Sequence, residues 1–345
     1  MNPLLLPFSA AFGAGVALRH GGYKHGWIKV HRLSRPVISV GNLTVGGTGK
    51  TPIVARVAEI LVRQGWKPSI LTRGYGRRSK AEKIVVAPEP GRRGDPRELG
   101  DEPALLARML PEIPLVVCGD RFRGGQAAEE RFEVTAHILD DGFQHLALAR
   151  DVNLLALDAT QPISNWNLLP AGRQREPLSA IRRAQIVAVT RSDLADATLL
   201  EKLVLKIHPA AKVFRSRTKL LGWTDALTGE KVSTEEIRTR KVAAFCGIGN
   251  PRAFFADLRR WGFNLAAEDA FPDHHVYTGG EIQQLADSAG KHGAAALLTT
   301  QKDAVKISRE WTAGLPILAC DIEAEIPAAR EFEATLLSYL DKAYS

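Results

Sequence analysis

Residues 40–52, VGNLTVGGTGKTP, follow the short apolar run PVIS and precede an amphipathic segment, and this stretch decides the fold. A phosphate-binding loop of the common spacing reads G-x-x-x-x-G-K-[ST]. Gly49, Lys50 and Thr51 fit the end of that pattern, whereas the position five before Gly49 is Thr44 rather than glycine. A strand before the loop, a helix after it and a lysine at its end predict a variant phosphate-binding loop. A chance glycine-rich turn is the alternative.

The residue types of this loop suit the phosphates of a nucleotide. Its glycines let backbone N–H groups turn inward without a clash from Cβ, and the positive end of the following helix points to the same place. Lys50 would reach the β- and γ-phosphates, and the Thr51 hydroxyl would ligate Mg²⁺. The predicted nucleotide-binding set is Gly46, Gly47, Thr48, Gly49, Lys50 and Thr51.

The rest of the chain alternates short apolar runs with amphipathic segments, which is typical of a mostly parallel sheet covered by helices on both faces. The predicted fold class is α/β: a P-loop NTPase-type domain with a mostly parallel sheet, and a second, smaller α/β domain joined to it by a short strand linker. The polar stretch around residues 214–240 is predicted to be the connector. The predicted parts are 1–26 (N-terminal segment), 27–218 (P-loop domain), 219–316 (smaller α/β domain) and 317–345 (a C-terminal strand and helix that return to the first domain).

The formal net charge of +8 is concentrated near the N-terminus. No Asp or Glu precedes Glu59, and the basic residues up to position 58 are Arg19, Lys24, Lys29, Arg32, Arg35, Lys50 and Arg56. Residues 1–18 carry no charged side chain, but their two prolines and two glycines make them a poor spanning helix. We predict that this segment lies in or dips into a membrane surface, next to anionic headgroups. A buried N-terminal core helix is the alternative.

Other classes of protein fit the composition less well. A secretory signal would need a basic segment before the apolar run, and none precedes it. Nucleic-acid binding is not favoured, because no recognition motif accompanies the positive charge. Cys118, Cys246 and Cys320 are far apart and show no metal-binding spacing, which predicts buried, reduced thiols.

An acidic pair follows the apolar residues of the stretch AHILDDGFQH. Asp140 and Asp141 follow an apolar strand, and the carboxyl end of such a strand lies beside the loop of the first strand in this kind of sheet. Carboxylates there would hold Mg²⁺. An ordinary acidic turn is the alternative.

Two further motifs carry groups suited to proton transfer. ELGDEPALLA places Asp101 and Glu102 at the start of a helix, where they serve either as a helix N-cap pair or as a base acting on a hydroxyl that attacks a phosphate. FPDHHVYT places Asp273, His274 and His275 in the second domain. These histidines are either solvated loop residues or groups that close over the first domain and tune a carboxylate.

Arginines recur in loops that flank predicted strands. They are Arg73, Arg77 and Arg78 with Tyr75 in LTRGYGRR, Arg121 and Arg123 in GDRFRGG, and Arg173 and Arg175 in LPAGRQREP. A guanidinium fork matches phosphate oxygens in a bidentate way, so several arginines at one edge of a sheet favour an anion site.

Seven motifs occur in order across nearly the whole chain. They are GNLTVGGTGKTP, LTRGYGRR, GDEPALLA, DDGFQH, LPAGRQREP, FPDHHVYT and TTQKDAVK. Together they resemble the tetraacyldisaccharide 4'-kinases, the lipid A 4'-kinases of Gram-negative bacteria. The resemblance implies transfer of the ATP γ-phosphate, with Mg²⁺, to the 4'-hydroxyl of a tetraacylated glucosamine disaccharide 1-phosphate, a late step of lipid A biosynthesis. It also implies the glycolipid and the cytoplasmic leaflet of the inner membrane as partners, with peripheral or anchored attachment there.

The resemblance also implies roles for particular residues. Lys50 and Thr51 would act at the phosphates and Mg²⁺, and Asp140 and Asp141 at the metal. Asp101 would be the base that activates the hydroxyl.

Three further positions match active-site residues of the family. A histidine of the DHH triplet would assist the base, with His274 favoured over His275 but not separated from it. Arg121 and Arg173 match the active-site arginines. Gln301 stands where an acidic residue is expected, so no role is carried over to it.

Two rival functions belong to other classes. One is a nucleotide-driven switch or assembly factor, and the other is a non-enzymatic, membrane-bound nucleotide sensor. A GTPase switch would carry NKxD where this chain has TRSD (residues 190–193), which lacks both the Asn and the Lys and so favours ATP. A kinase needs an acceptor and a base, whereas neither rival does.

Overall fold

The computed structural model describes residues 3–74, 85–87, 96–162, 166–311 and 314–344. Its strands are β1 (Val37–Asn42), β2 (Pro68–Thr72), β3 (Val85–Ala87), β4 (Leu115–Val117), β5 (Ala136–Asp140), β6 (Val152–Asp158), β7 (Ile186–Thr190), β8 (Lys212–Arg215), β9 (Arg217–Asp225), β10 (Lys231–Val232), β11 (Lys241–Cys246), β12 (Asn264–Ala270), β13 (Leu297–Thr300) and β14 (Ile317–Glu325). Its helices are α1 (Leu6–Lys24), α2 (Lys50–Arg63), α3 (Pro96–Leu99), α4 (Asp101–Met109), α5 (Arg121–Arg131), α6 (Thr198–Ile207), α7 (Thr234–Arg238), α8 (Pro251–Arg260), α9 (Gly279–Lys291), α10 (Gln301–Ala304) and α11 (Ala329–Tyr344).

The first unit is built on an eight-stranded sheet in the order β3-β4-β2-β5-β1-β6-β7-β8. Its strands run parallel from β4 to β8, and β3 pairs antiparallel with β4 at the edge. Every residue of β1, β5 and β6 is buried, as expected for strands covered on both faces. The predicted α/β fold with a mostly parallel sheet is confirmed. Because β5 is the direct parallel neighbour of β1, the residues that follow these two strands meet at one edge of the sheet.

The helix after the glycine-rich loop forms because its apolar residues share one face. Ile53, Val57, Ile60 and Leu61 recur at helical spacing, and each is at most 1% exposed. Burial of such a side chain stabilises the fold by about 1.5–3 kcal/mol relative to leaving it exposed. The helix ends before Gly65, whose φ of +80° suits glycine. This packing fixes the start of α2, and therefore the loop, against the sheet.

Two long strands join the first unit to the second. A single residue separates β8 from β9, and β9 pairs antiparallel with β14 from Asp225↔Leu318 to Arg217↔Glu325. The second unit is a six-stranded sheet in the order β10-β9-β14-β13-β11-β12. The polar stretch predicted as the connector contributes β9 to this pair of strands. Buried and exposed positions alternate only partly along β9, as is typical of a strand with one solvated face.

The C-terminal region divides between the two units. β14 lies in the second sheet along its whole length, so the chain does not return to the first unit at residue 317. It returns at the end of β14, where Ala324 is buried in the same core cluster as α2, and α11 follows with Phe332, Leu336 and Leu340 fully buried in that cluster.

Helix α1 lies on the surface of the first unit. Only Ser9 and Gly22 are buried within it, whereas Phe8 is 64% and Leu18 71% exposed. Ser9 Oγ donates to the Leu168 carbonyl at 2.9 Å, which ties the helix to the loop before β7. The alternative of a buried core helix is therefore excluded. Among the described residues, no helix combines the length and apolarity needed to cross a membrane.

Candidate active site

The loop between β1 and α2 is held in a conformation that depends on glycine. Gly46 and Gly49 have φ values of +98° and +75°, which residues with a Cβ rarely adopt. Asn42, the last residue of β1, donates from Nδ2 to Thr48 Oγ1 at 2.8 Å and so braces the loop from within. The first-turn N–H groups of α2, which begins at Lys50, have no partners within the helix. The predicted loop is thus shaped and polarised as an anion-binding site.

Asp141 is the centre of a charge cluster at the end of this loop. Lys50 Nζ donates to Asp141 Oδ1 at 2.7 Å, and Arg175 donates to its Oδ2 at 2.8 Å and its Oδ1 at 2.9 Å. Burial would raise the pKa of Asp141, but the charge of Lys50 and the hydrogen bonds of Arg175 outweigh burial and hold the pKa far below its usual range. Asp141 is therefore a fixed anion in contact with the P-loop lysine.

Asp140 has the opposite electrostatic surroundings. It is the last residue of β5, is 3% exposed and accepts a hydrogen bond from Thr72 Oγ1 at 3.1 Å. Burial, and then the negative charges of Glu102 and Asp141, raise its pKa to about 7. The protein does not neutralise this carboxylate as it neutralises its neighbour, so a cation at Asp140 would be favoured.

The surrounding residues fit Mg²⁺ better than a metal held wholly by the protein. No cluster of three or more His, Cys, Asp or Glu that could bind a metal occurs in the described parts of the chain. Mg²⁺ usually takes one or two carboxylates and fills its remaining positions with water and phosphate oxygens. Asp140 can supply such a carboxylate, and the half-buried Thr51 stands in the first turn of α2 at the end of the loop.

The two predicted arginines occupy different positions. Arg121 is 6% exposed and donates from Nη1 to the Gly119 carbonyl at 2.7 Å. Burial and then the charge of Arg73 lower the pKa of Arg121. Arg173 donates from Nη2 to the Val45 carbonyl, in the loop, at 3.0 Å. Neither arginine contacts Asp141 directly; the arginine that does is Arg175.

The structure separates the two adjacent histidines. His274 has a φ of +62°, and its Nδ1 lies 3.1 Å from Oδ2 of Asp101, the first residue of α4. His275 instead places its Nε2 3.1 Å from Glu281 Oε1 and stacks on Phe271 within the second unit. Only His274 of this pair joins the two units.

A second contact between the units lies at the nucleotide loop itself. A Cβ at Gly249, in the loop between β11 and α8, would lie only 2.3 Å from the Gly47 nitrogen. Asn250 Nδ2 donates to Asp158 Oδ2 at 3.2 Å across the same boundary. The cleft is therefore closed over the loop as well as at Asp101.

Some site residues were missed by sequence reasoning, and some predicted ones cannot be placed. Arg175 stood in a recognised motif beside Arg173, and no feature of the motif separated them. Asn42 looked like an ordinary strand end. Tyr75, Arg77 and Arg78 lie outside the described residues.

The comparisons with known proteins identify the family. A family model described as "Tetraacyldisaccharide-1-P 4'-kinase" matches residues 1–341. The chain is similar to a tetraacyldisaccharide 4'-kinase of Geobacter metallireducens, with 41% identity over 88% of each chain. It is also similar to one of Koribacter versatilis, with 38% identity over 97% of this chain and 96% of the relative. Among solved structures, the "apo" form of LpxK from Aquifex aeolicus in complex with ATP superposes with a TM-score of 0.77 at 32% identity, covering 97% of this chain and 98% of the other.

Proposed function

Because the chain belongs to the tetraacyldisaccharide 4'-kinase family, we propose that its cleft transfers the ATP γ-phosphate to the 4'-hydroxyl of a tetraacyldisaccharide 1-phosphate, in lipid A biosynthesis. The observation that carries this assignment is the 3.1 Å contact between Asp101 and His274 across the cleft. It supplies a supported carboxylate beside a nucleotide loop, which an acceptor hydroxyl needs and a nucleotide switch does not.

The loop residues bind the triphosphate. The backbone of residues 46–49 and the first turn of α2 face the β- and γ-phosphates, and Lys50 moves from Asp141 to the phosphoryl group being transferred. Arg121 and Arg173 add positive charge near the phosphates. Asp141 remains paired with Arg175 after Lys50 leaves, so its charge stays compensated.

Thr51 and Asp140 would hold Mg²⁺ together with phosphate oxygens. Asp141 can join them through its remaining lone pairs, since Arg175 occupies only two of its roughly four acceptor positions once Lys50 has moved to the phosphate. Mg²⁺ bound there would neutralise the charge that gathers on the transferring phosphate. Asp101 accepts the proton of the 4'-hydroxyl, and the closed cleft keeps water from acting as the acceptor.

The direct test is transfer of labelled γ-phosphate from ATP to a tetraacyldisaccharide 1-phosphate in detergent. We expect label in the lipid and little release of free phosphate when the lipid is absent. The matched control is the same lipid already phosphorylated at its 4'-position, which should take up no label. Equal ATP hydrolysis with and without the lipid would instead support a nucleotide switch.

A paired substitution tests which arginine of LPAGRQREP acts in transfer. We expect Arg175→Ala to lower kcat/KM by roughly 10²-fold, because it removes both hydrogen bonds that fix Asp141 near the phosphates. Arg173→Ala should lower kcat/KM less, because Arg173 donates to the Val45 carbonyl. Steady-state kinetics of the two variants, measured side by side, check this order. A larger loss in Arg173→Ala would place that arginine, and not Arg175, on the transferring group.

For the membrane, we propose that α1 lies on the cytoplasmic leaflet of the inner membrane. Its exposed apolar residues include Phe8 and Leu18, and the exposed Trp27 follows the helix. The basic residues from Arg19 to Arg35 lie directly after this apolar surface and suit anionic headgroups. Helix α1 also contacts residues beside the cleft, since Arg19 Nη2 donates to the Gln144 carbonyl at 3.0 Å. An acyl chain in the leaflet would then lie next to the site of transfer.

This proposal predicts a loss of membrane binding without a loss of chemistry. In the double variant Phe8→Glu, Leu18→Glu, we expect binding to vesicles containing phosphatidylglycerol to fall at least roughly tenfold, since each buried apolar side chain contributes about 1.5–3 kcal/mol. Flotation measures the bound fraction. Turnover of detergent-dispersed substrate should stay near normal.

The matched control changes two apolar residues of similar exposure elsewhere. Leu199 is 66% and Leu221 58% exposed, in α6 and β9. The variant Leu199→Glu, Leu221→Glu should bind vesicles like the unmodified protein. Higher salt should weaken vesicle binding by this variant and by the unmodified protein. If the α1 variant floats equally well, α1 does not contact the lipid.

A further inference from the structure

Lys302 reaches into the cleft from the second unit. It lies in α10, directly after β13, and its side chain is 14% exposed. Its Nζ lies 3.4 Å from Glu102 Oε1 in the first unit and 3.3 Å from Asp273 Oδ1 in its own unit. The same Nζ lies 3.4 Å from Nε2 of His274, the ring nitrogen that faces away from Asp101. A buried lysine thus touches the histidine that contacts the base.

The donors and acceptors in this chain of contacts favour one arrangement. An ammonium group has three donors and no acceptor, so a hydrogen bond from Lys302 requires a lone pair on His274 Nε2. The proton of a neutral imidazole then resides on Nδ1, which donates to Asp101 Oδ2 at 3.1 Å. The carboxylate oxygen Asp273 Oδ1 lies 3.9 Å from Nε2, beyond hydrogen-bond distance.

The opposite tautomer would disable the base. With its proton on Nε2, His274 would present an N–H to the Lys302 ammonium and a lone pair to the Asp101 carboxylate. Both contacts would become repulsive at distances of 3.4 Å and 3.1 Å. Asp101 could keep that contact only by taking up a proton, and a protonated carboxyl cannot accept one from the 4'-hydroxyl.

Within the described parts of the chain, the other charged groups near His274 do not replace Lys302. Lys306 Nζ lies 4.0 Å from Asp101 Oδ2 and pairs with Asp303 at 2.7 Å. Glu102 and Asp273 are acceptors, and they hold Lys302 in place through its remaining donors. Burial would lower the pKa of Lys302, but Glu102 and Asp273 outweigh burial and raise it, so the residue remains a donor.

We propose that Lys302 is a positioning residue that fixes His274 as the neutral Nδ1–H tautomer and thereby keeps Asp101 free to act as the base. This inference rests on the proposed function for its catalytic consequence. Its structural content, the tautomer of one histidine, does not depend on any activity.

The test uses the full chain labelled with ¹⁵N-histidine and four variants. Lys302→Met keeps the aliphatic stem and removes the donors, whereas Lys302→Arg keeps a donor. His274→Gln identifies the His274 ring signals among those of the nine histidines. We expect the unmodified protein and Lys302→Arg to show Nδ1–H shifts at His274, and Lys302→Met to lose them. Glu102→Gln, which removes the negative charge that faces Lys302 from the first unit but spares the ring contact, should keep them.

The kinetic expectation follows from the tautomer. Lys302→Met should lower kcat by roughly 10- to 100-fold, with KM for ATP nearly unchanged, and Lys302→Arg should restore much of the loss. Wild-type ring shifts in Lys302→Met, an Nε2–H tautomer in the unmodified protein, or a shift in Glu102→Gln equal to that in Lys302→Met would each overturn the proposal. Absence of lipid phosphorylation by the unmodified protein would instead overturn the proposed function, and the ring shifts would still decide the tautomer.

Discussion

Replacing Lys50 by alanine is expected to lower the rate of phosphoryl transfer by roughly 10²–10³-fold or more. Lys50 is the first residue of α2, and its Nζ is held by Asp141 Oδ1 at 2.7 Å at the mouth of the loop. In the loose transition state, negative charge shifts towards the leaving phosphate and is spread over the oxygens of the transferring group, and the ammonium stabilises that charge more than it stabilises the ground state. Single-turnover transfer of labelled phosphate measures the loss in the chemical step.

A loss of activity caused by unfolding must be separated from a loss in the chemical step. Lys50→Ala removes one partner of Asp141, but Arg175 still donates two hydrogen bonds to that carboxylate, so the fold should persist. Thermal unfolding of the variant checks this. Lys67→Ala is the matched control, since Lys67 is an exposed residue paired with Glu133 away from the cleft, and its turnover should be unchanged. Near-normal transfer in Lys50→Ala would remove the loop from the mechanism.

The nucleotide half of the site was predictable because it depends on local patterns. An apolar strand, glycines that need positive φ, and a helix with four apolar residues on one face are all encoded within residues 36–65. The position of Asp140 and Asp141 followed from one further rule, that carboxyl ends of neighbouring parallel strands share an edge. That placement is confirmed by the pairing of β1 with β5 and by the bond between Lys50 and Asp141.

Other parts of the site could not be derived in the same way, because they depend on which of two neighbouring residues points into the cleft. Asp141 and His274 have φ values of +50° and +62°, conformations that neither residue type signals in a sequence. Such strain costs on the order of 1–3 kcal/mol and persists only where tertiary contacts hold it. The contacts that hold it come from Arg175 and Lys302, which are distant in sequence from the residues they fix. Local sequence patterns therefore could not decide between Arg173 and Arg175, or between His274 and His275.

Replacing Asp101 by asparagine is expected to lower kcat by roughly 10²–10⁴-fold with little change in the affinity for ATP. A sugar hydroxyl is a poor nucleophile at neutral pH and needs a base within about 3 Å to accept its proton. Asparagine keeps the shape of the side chain and can still meet His274, but it cannot accept a proton. Rapid-quench kinetics with saturating ATP and dispersed lipid measure kcat, and ATP binding is measured separately by titration. Full activity in Asp101→Asn would move the base to another carboxylate.

The contact between Asp101 and His274 makes the double variant more informative than either single one. If the two side chains act as one unit, Asp101→Asn with His274→Gln should be scarcely slower than Asp101→Asn alone, because the histidine has no base left to orient. His275→Gln is the matched control: its ring meets Glu281 at 3.1 Å within the second unit, so its effect should be small and should multiply with that of Asp101→Asn. Multiplicative losses for Asp101 and His274 would mean that the histidine acts on its own, in holding the disaccharide. Closure of the cleft would then serve to bind substrate, and activation of the hydroxyl would depend on the first unit alone.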